Sequence, residues 1–243
     1  MRLDRFLCET TKESRSRAKE WIKRKAVLVN GQTALKPEQQ INEKTDQVTL
    51  LGKPLTYQQF YYYMLNKPAG MVTAHRDALS APVMELLKDA PGRELFPAGR
   101  LDKDAEGFLL ITNDGALAHT LLSPRYHVPK TYFLKLAEPF TKKQAEELSG
   151  GVDIGEDAPC GPAEVQPLTS HTINLTIHEG KFHQVKRMLA AVGNEVLYLK
   201  RISFGGVKLD ESLAPGQYRP LTAQELAQLK EASERKQINH VEK

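Results

Sequence analysis

Cysteine is scarce in this 243-residue chain: only Cys8 and Cys160 are present, far apart in sequence. Two such thiols make neither a zinc pattern nor a disulfide framework, and they suit a reducing cytoplasm. No apolar run reaches the ~18–20 residues a membrane span needs. The opening MRLDRFLCETTKES contains acids and no long apolar core, so it does not read as a signal peptide. The chain also lacks a GxxxxGK[ST] loop, a GxGxxG loop and any metal-ligand spacing, so no cofactor and no metal are expected. The histidines at 75, 119, 127, 171, 178 and 240 show no spacing that groups them.

What is present is an ordinary globular composition, 40% hydrophobic and 26% charged. The length allows one large domain, or a small one and a medium one. The net charge of +4 is unevenly spread. Residues 1–55 hold 12 Lys/Arg against 7 Asp/Glu, a local +5, and the remainder carries −1. A basic first quarter points to a polyanion partner, with a solvated basic face as the competing reading.

That first quarter reads as its own unit, residues 1–57. Leu3, Phe6 and Leu7 have helical spacing. Ser14 is placed to cap a second helix with Ala18, Trp21 and Ile22 on one face. That pattern puts Trp21 in the core rather than under a nucleobase. Arg15, Arg17, Lys19, Lys23, Arg24 and Lys25 crowd the rest of this helix and its end, as phosphate contacts would. Val27-Leu28-Val29-Asn30-Gly31 is a strand into a hairpin turn, and Asp46 to Leu51 a later strand. MRLDRFL, SRSRAKEWI and VLVNG in this order resemble the alpha-L RNA-binding motif of a small-subunit ribosomal protein. Ala26 departs from it, where glycine is frequent, which predicts a slightly weaker turn.

Residues 54–61 read as a linker into a strand, Tyr62 to Lys67, whose tyrosines are half-buried strand residues. Lys67-Pro68-Ala69-Gly70 is a turn. Strands follow at Phe108 to Thr112, Lys130 to Leu136, Val165 to Leu168, Ile173 to Ile177, Val196 to Leu199 and Val207 to Leu209. Helices are expected at Ala116 to Leu122, at Thr141 to Leu148 with a Thr141 cap and a Gly150-Gly151 stop, and from Phe182 to near Gly193. Leu226 to Leu229 closes the second domain, residues 58–230, and 231–243 is a polar tail. The fold class is α+β, with a mixed, largely antiparallel sheet and flanking helices.

The densest chemistry lies in GRLDKDAEGFLLITNDG, residues 99–115. Here a polar loop places Arg100 and Asp102 beside an apolar strand, a rigid mount for a carboxylate. With YMLNKPAG, SPRYHVPKTY, EGKFHQVKRMLAAVGN and LAPGQYRPLT, this motif resembles the RsuA/RluB/RluE/RluF family of ribosomal RNA pseudouridine synthases. The resemblance covers roughly residues 1–230 and rests on these five motifs in order. Within that family the likeness is greatest to members acting on small-subunit RNA. Ala105 departs from the family's usual Thr or Ser, removing a hydroxyl but no catalytic group.

The resemblance implies an isomerase that breaks the N1–C1′ bond of a uridine, turns the base and joins C5 to C1′. It puts Asp102 at the catalytic aspartate, where the carboxylate either attacks C1′ or takes the C2′ proton. Tyr132 falls on the active-site tyrosine and Lys186 on the active-site cation that keeps the aspartate ionised. Arg100 is placed to fill the stack vacated by a flipped base. Arg187, His183 and Gln184 are substrate-binding candidates, and His183 receives no catalytic role. The implied partner is ribosomal RNA, in a partly assembled small subunit, met by a cytoplasmic monomer that touches no membrane. Two alternatives stand beside it: the same reaction on large-subunit RNA, and a non-catalytic RNA-binding assembly factor.

Overall fold

The computed structural model describes residues 1–73 and 80–234. His75, His240 and most of the polar tail lie outside the described residues. The chain divides into two compact units. The first is Met1–Tyr61 together with Ala90–Glu94, and the second is formed by the rest.

In the first unit, helices α1 (Leu3–Thr11) and α2 (Arg15–Lys23) precede strands β1 (Val27–Val29), β2 (Gln32–Thr33), β3 (Val48–Leu50) and β4 (Lys53–Leu55). The Ser14 hydroxyl accepts from the Arg17 N–H at 3.2 Å, satisfying one free donor at the start of α2. Asn30 and Gly31 take φ of 51° and 78° between β1 and β2, the left-handed pair that a two-residue hairpin turn requires. The antiparallel order is β2-β1-β3-β4. Leu3, Phe6, Leu7, Ile22, Val27 and Val48 form the core.

Three expectations need correction. Residues 54–61 are not a free linker: Pro54 and Leu55 pair with β3, and Tyr57 packs on the core. The strand expected from Asp46 starts at Val48, because the Asp46 carboxylate accepts from the Asn30 amide and the Asn42 N–H and so builds a turn. The left-handed corner before β1 falls on Lys25 at φ 58°, so Ala26 carries no strain there.

The second unit contains β5 (Tyr62–Lys67), β6 (Phe96–Ala98), β7 (Glu106–Thr112), α3 (Gly115–Leu122), β8 (Lys130–Leu136), α4 (Lys142–Gly150), β9 (Glu164–Pro167), β10 (Thr172–Ile177), α5 (Gln184–Ala191), β11 (Val196–Phe204), β12 (Val207–Lys208), β13 (Tyr218–Pro220) and α6 (Ala223–Glu234). Its sheet runs β13-β5-β7-β11-β8-β10-β9, with β6 on β7 and β12 on β11. Only β7 and β11 pair in parallel among the described strands, so the sheet is mixed and largely antiparallel. Phe108, Leu110, Leu117, Leu121, Phe204 and Leu229 bury one face of it beneath α3 and α6. Asp114 caps α3 by accepting from the Leu117 N–H. Thr141 and Gln144 make a reciprocal capping box on α4.

At the parallel pair, Gly107 has φ 102°, and a Cβ there would stand 2.2 Å from the Arg201 carbonyl oxygen. Only glycine allows β7 and β11 to approach this closely. Helix α5 begins at Gln184 rather than Phe182, because His183 is left-handed at φ 48°. The closing helix α6 runs on to Glu234, so Glu231 to Glu234 are helical and not tail. Strand β11 continues to Phe204, well past Leu199.

Candidate active site

The loop between β6 and β7 carries Asp102, and its backbone is clamped from below. Lys67, at the end of β5, is fully buried. Its ammonium donates to the carbonyls of Ala105 at 2.7 Å, Pro68 at 3.0 Å and Lys103 at 3.3 Å. The Gly70 N–H also donates to the Lys103 carbonyl, and the Thr73 hydroxyl to that of Leu101. Burial pushes the Lys67 ammonium down to about 8, against the pull of Asp104, Asp102 and Glu106. Every second carbonyl of the Asp102 loop is thus tied down, and its side chain is left facing a cleft of about 510 Å³.

Two basic side chains from the α5 region reach that carboxylate. His183 Nε2 lies 3.4 Å from one Asp102 oxygen, and Lys186 Nζ lies 3.7 Å from the other. The nearer partner of Lys186 is Asp104, with both carboxylate oxygens at 2.7 Å, and Lys186 holds the Asp104 carboxyl below its ordinary range. Lys186 therefore serves two carboxylates, of which the sequence reading saw one. Both pairs are part-exposed, so solvent screens them and their value is positional more than energetic.

Tyr132 forms the cleft's inner wall from β8. It is 7% exposed, and its hydroxyl has no hydrogen-bond partner among the described residues. Arg201 stands directly opposite Tyr132 across the ladder, so both side chains share a face. Arg201 is buried; its Nε donates to the Phe108 carbonyl at 2.7 Å, and its Nη2 has no partner among the described residues. Lys130, two residues before Tyr132 on the same face, donates to the Val128 carbonyl at 3.0 Å. Burial first, and then the Arg201 charge, push its ammonium down to about 8. Both Arg201 and Lys130 line the cleft, making a cationic floor that the sequence reading missed along with Lys67.

Lowered lysines set a pH dependence of stability. Between pH 8 and the ordinary value of 10.5, the unfolded chain keeps a proton at position 130 that the folded chain has lost. Stability therefore gains from this lysine as pH rises through that window. Urea midpoints taken at pH 7.5 and 9.5 should show wild type gaining on Lys130→Met; parallel shifts in the two proteins would mean that Lys130 is not the titrating group.

Arg100 is exposed on the cleft rim and has no ion-pair partner among the described residues. Two candidates are placed otherwise than the sequence suggested. Arg187 points away from the cleft: it pairs with Glu156 at 2.5 Å and donates to the carbonyls of Ile154 and Phe182. Adjacent positions on a helix face different ways, which separates it from Lys186. Gln184 lines the cleft, yet its amide is spent inside the protein, donating to Glu179 at 2.7 Å and accepting from the Lys181 N–H at 2.9 Å. Of the histidines expected to stay apart, His178 meets the His127 carbonyl at 2.8 Å, away from the cleft. Among the described residues no three His, Cys, Asp or Glu side chains group as metal ligands.

On α2 and its end, the six basic side chains are all exposed. Arg17 and Arg24 share Glu20, and the Arg17 guanidinium also lies 5.5 Å from the Trp21 ring centroid. Arg15, Lys19, Lys23 and Lys25 have no ion-pair partner among the described residues.

Residues 61–191 match the RNA pseudouridylate synthase family and residues 1–48 match the S4 domain. The chain is 47% identical over 236 residues to the uncharacterized RNA pseudouridine synthase YtzG of Bacillus subtilis, covering 95% of this chain and 99% of that one. It is 41% identical over 229 residues to the ribosomal small subunit pseudouridine synthase A of Escherichia coli K12, covering 93% and 99%. A crystal structure of a pseudouridylate synthase, 38% identical, matches 94% of this chain and 99% of its own with a TM-score of 0.67. A clamped carboxylate in a cation-lined cleft, on this fold, thus defines an RNA-modifying isomerase. The chain belongs to the RNA pseudouridine synthase family and carries an S4 domain at its N-terminus.

Proposed function

We propose that this enzyme converts one uridine of small-subunit (16S) ribosomal RNA to pseudouridine during ribosome assembly, acting as a cytoplasmic monomer on a partly assembled particle. The observation that supports it most is Asp102 on its clamped loop, with His183 and Lys186 both within 4 Å, in a chain alike from end to end to relatives named for small-subunit RNA. The reaction balances without a co-reactant. N1–C1′ breaks, C5–C1′ forms, and the C5 proton is exchanged for one on N1. It involves no redox change and no phosphoryl transfer, so neither cofactor nor metal is needed.

Asp102 acts at the sugar carbon side of the target nucleotide, with Lys186 and His183 beside it. Tyr132 supports the extruded base with its ring, and its unpartnered hydroxyl is available for proton transfer at C5. Arg100 fills the stack the base leaves, offsetting part of the few kcal/mol that flipping costs. Arg187 and Gln184 act as positioning residues for the segment preceding α5.

The S4 unit supplies affinity through phosphate contacts. Neutralising Arg15, Lys19, Lys23 and Lys25 should weaken binding and flatten its salt dependence by roughly 0.7–0.9 of slope per lost contact. An unchanged slope would show that this helix does not face RNA. The function itself is tested by mapping pseudouridine in ribosomal RNA from cells with and without the gene. One small-subunit position should disappear; loss of a large-subunit position instead would transfer the assignment there.

A further inference from the structure

Phe182 sits on the rim of the cleft and is 65% exposed. A lone exposed apolar side chain is ordinary and needs no purpose. This one differs in being held. Its ring stacks on the His183 imidazole, with centroids 3.8 Å apart and planes 18° from parallel. Its carbonyl accepts from Arg187 Nη1 at 3.1 Å. The residue before it is fixed on both sides: the Lys181 N–H donates to Gln184, and its ammonium donates to the carbonyls of Ala158 and Pro159. The residue after it, His183, sits in a left-handed backbone with Nε2 against Asp102. A ring displayed on a braced segment has already given up much of the rotational freedom that stacking would remove.

The order in space is Asp102, then His183, then Phe182. The cleft that Phe182 borders is itself lined by Arg100, Lys130, Lys186 and Arg201. Such a flat aromatic face beside positive charge fits an unpaired nucleobase on a phosphate backbone, since every base offers a π-face and each stack is worth about 1–3 kcal/mol. An acidic protein segment would use the cations and leave the ring in water.

We propose that the Phe182–His183 stack is a platform for the unpaired base next to the target uridine in the RNA strand. This rests on the cleft being the uridine site. It follows that the enzyme takes its target from a single-stranded stretch, with at least one neighbouring base splayed from its helix. Phe182 thereby selects the strand context, and Arg187, which braces its carbonyl, acts on substrate only through it.

The test uses short RNAs carrying the mapped target uridine, bound by the Asp102→Asn protein so that no turnover occurs. One series has 2-aminopurine at the position before or after the uridine; a second has an abasic sugar there. With Phe182 present, 2-aminopurine fluorescence should be quenched at one of the two positions, and the abasic sugar at that position should weaken binding roughly 5- to 150-fold. Phe182→Leu should abolish the quenching and should itself weaken binding of intact RNA while leaving the abasic RNA unaffected. Phe182→Tyr should retain both effects. Equal losses on intact and abasic RNA, or coupling to the uridine position alone, would overturn the platform. So would a Phe182→Leu loss seen with ribosomal particles and absent with naked RNA, which would assign the ring to a protein contact. Failure of the uridine-site reading is visible separately, as absence of pseudouridine formation by the parent enzyme on partly assembled small subunits.

Discussion

Asp102→Asn is expected to lower pseudouridine formation by about 10⁴-fold or more, the scale of losing a reacting carboxylate. RNA binding should remain within about threefold of the parent, because asparagine keeps the shape and the loop is held by backbone contacts. Those contacts come from Lys67, Gly70 and Thr73, none of which uses the Asp102 side chain. A single-turnover tritium-release assay, run beside a filter-binding titration, separates the two quantities. Appreciable turnover by the asparagine protein would remove Asp102 from the chemistry. A parallel loss of binding would make it an RNA ligand instead.

The second large effect is expected at Lys67, which touches no substrate. Lys67→Met is close in length but leaves the carbonyls of Pro68 and Ala105 without this donor, and that of Lys103 with the Gly70 N–H alone. An unsatisfied buried acceptor costs about 1–3 kcal/mol. Against that, removing a buried ammonium relieves a desolvation penalty, visible in its lowering to about 8. A net loss of roughly 2–4 kcal/mol follows, or about 4–16 °C in the melting temperature of a chain of this size. Activity should fall by at least about 100-fold even well below that melting temperature, since loss of loop placement misaligns Asp102. Differential scanning calorimetry and single-turnover rates at 20 °C test both parts. Full activity in a folded Lys67→Met protein would show that the loop holds its own shape.

Most of this architecture is written in local pattern. Alternating residues in Lys130 to Leu136 and the unbroken apolar run of Phe108 to Ile111 mark strands, and both lie in the sheet as β8 and β7. Ser14, Asp114 and Thr141 mark helix starts, and each accepts the hydrogen bond its type suggests. Strands β6 and β13 escaped because each is three residues long and contains proline, which reads as a turn until a neighbouring strand pairs with it. In sequence, β11 reads as ending at Leu199, because Lys200 and Arg201 look like solvent-facing charges. Between β7 and β8, in the middle of the sheet, Arg201 is instead 2% exposed.

The site divides in the same way. Asp102, Tyr132 and Lys186 stand in recognisable motifs, and the fold brings all three to one cleft. Lys67, Lys130 and Arg201 carry no motif of their own. Their burial depends on which strands become central and on where the Asp102 loop crosses, and both are long-range outcomes. A signal was present nonetheless: Lys67 ends the run YYYMLN and Arg201 interrupts LYLKRISF, and a cation inside an otherwise apolar central strand needs a buried acceptor. Arg187 is the neighbour that helix geometry turns away from Lys186, and its side chain pairs with Glu156. Phe182 fits the helical pattern in sequence yet precedes α5, so nothing local marks its ring as exposed.

The most direct measurement incubates purified wild-type and Asp102→Asn protein with free small-subunit RNA, partly assembled small subunits and free large-subunit RNA, and maps pseudouridine at nucleotide resolution. The expected result is one new pseudouridine in small-subunit RNA, formed by the wild type alone and best in the partly assembled particle. Modification of large-subunit RNA only, or equal modification by the asparagine protein, would contradict the assignment.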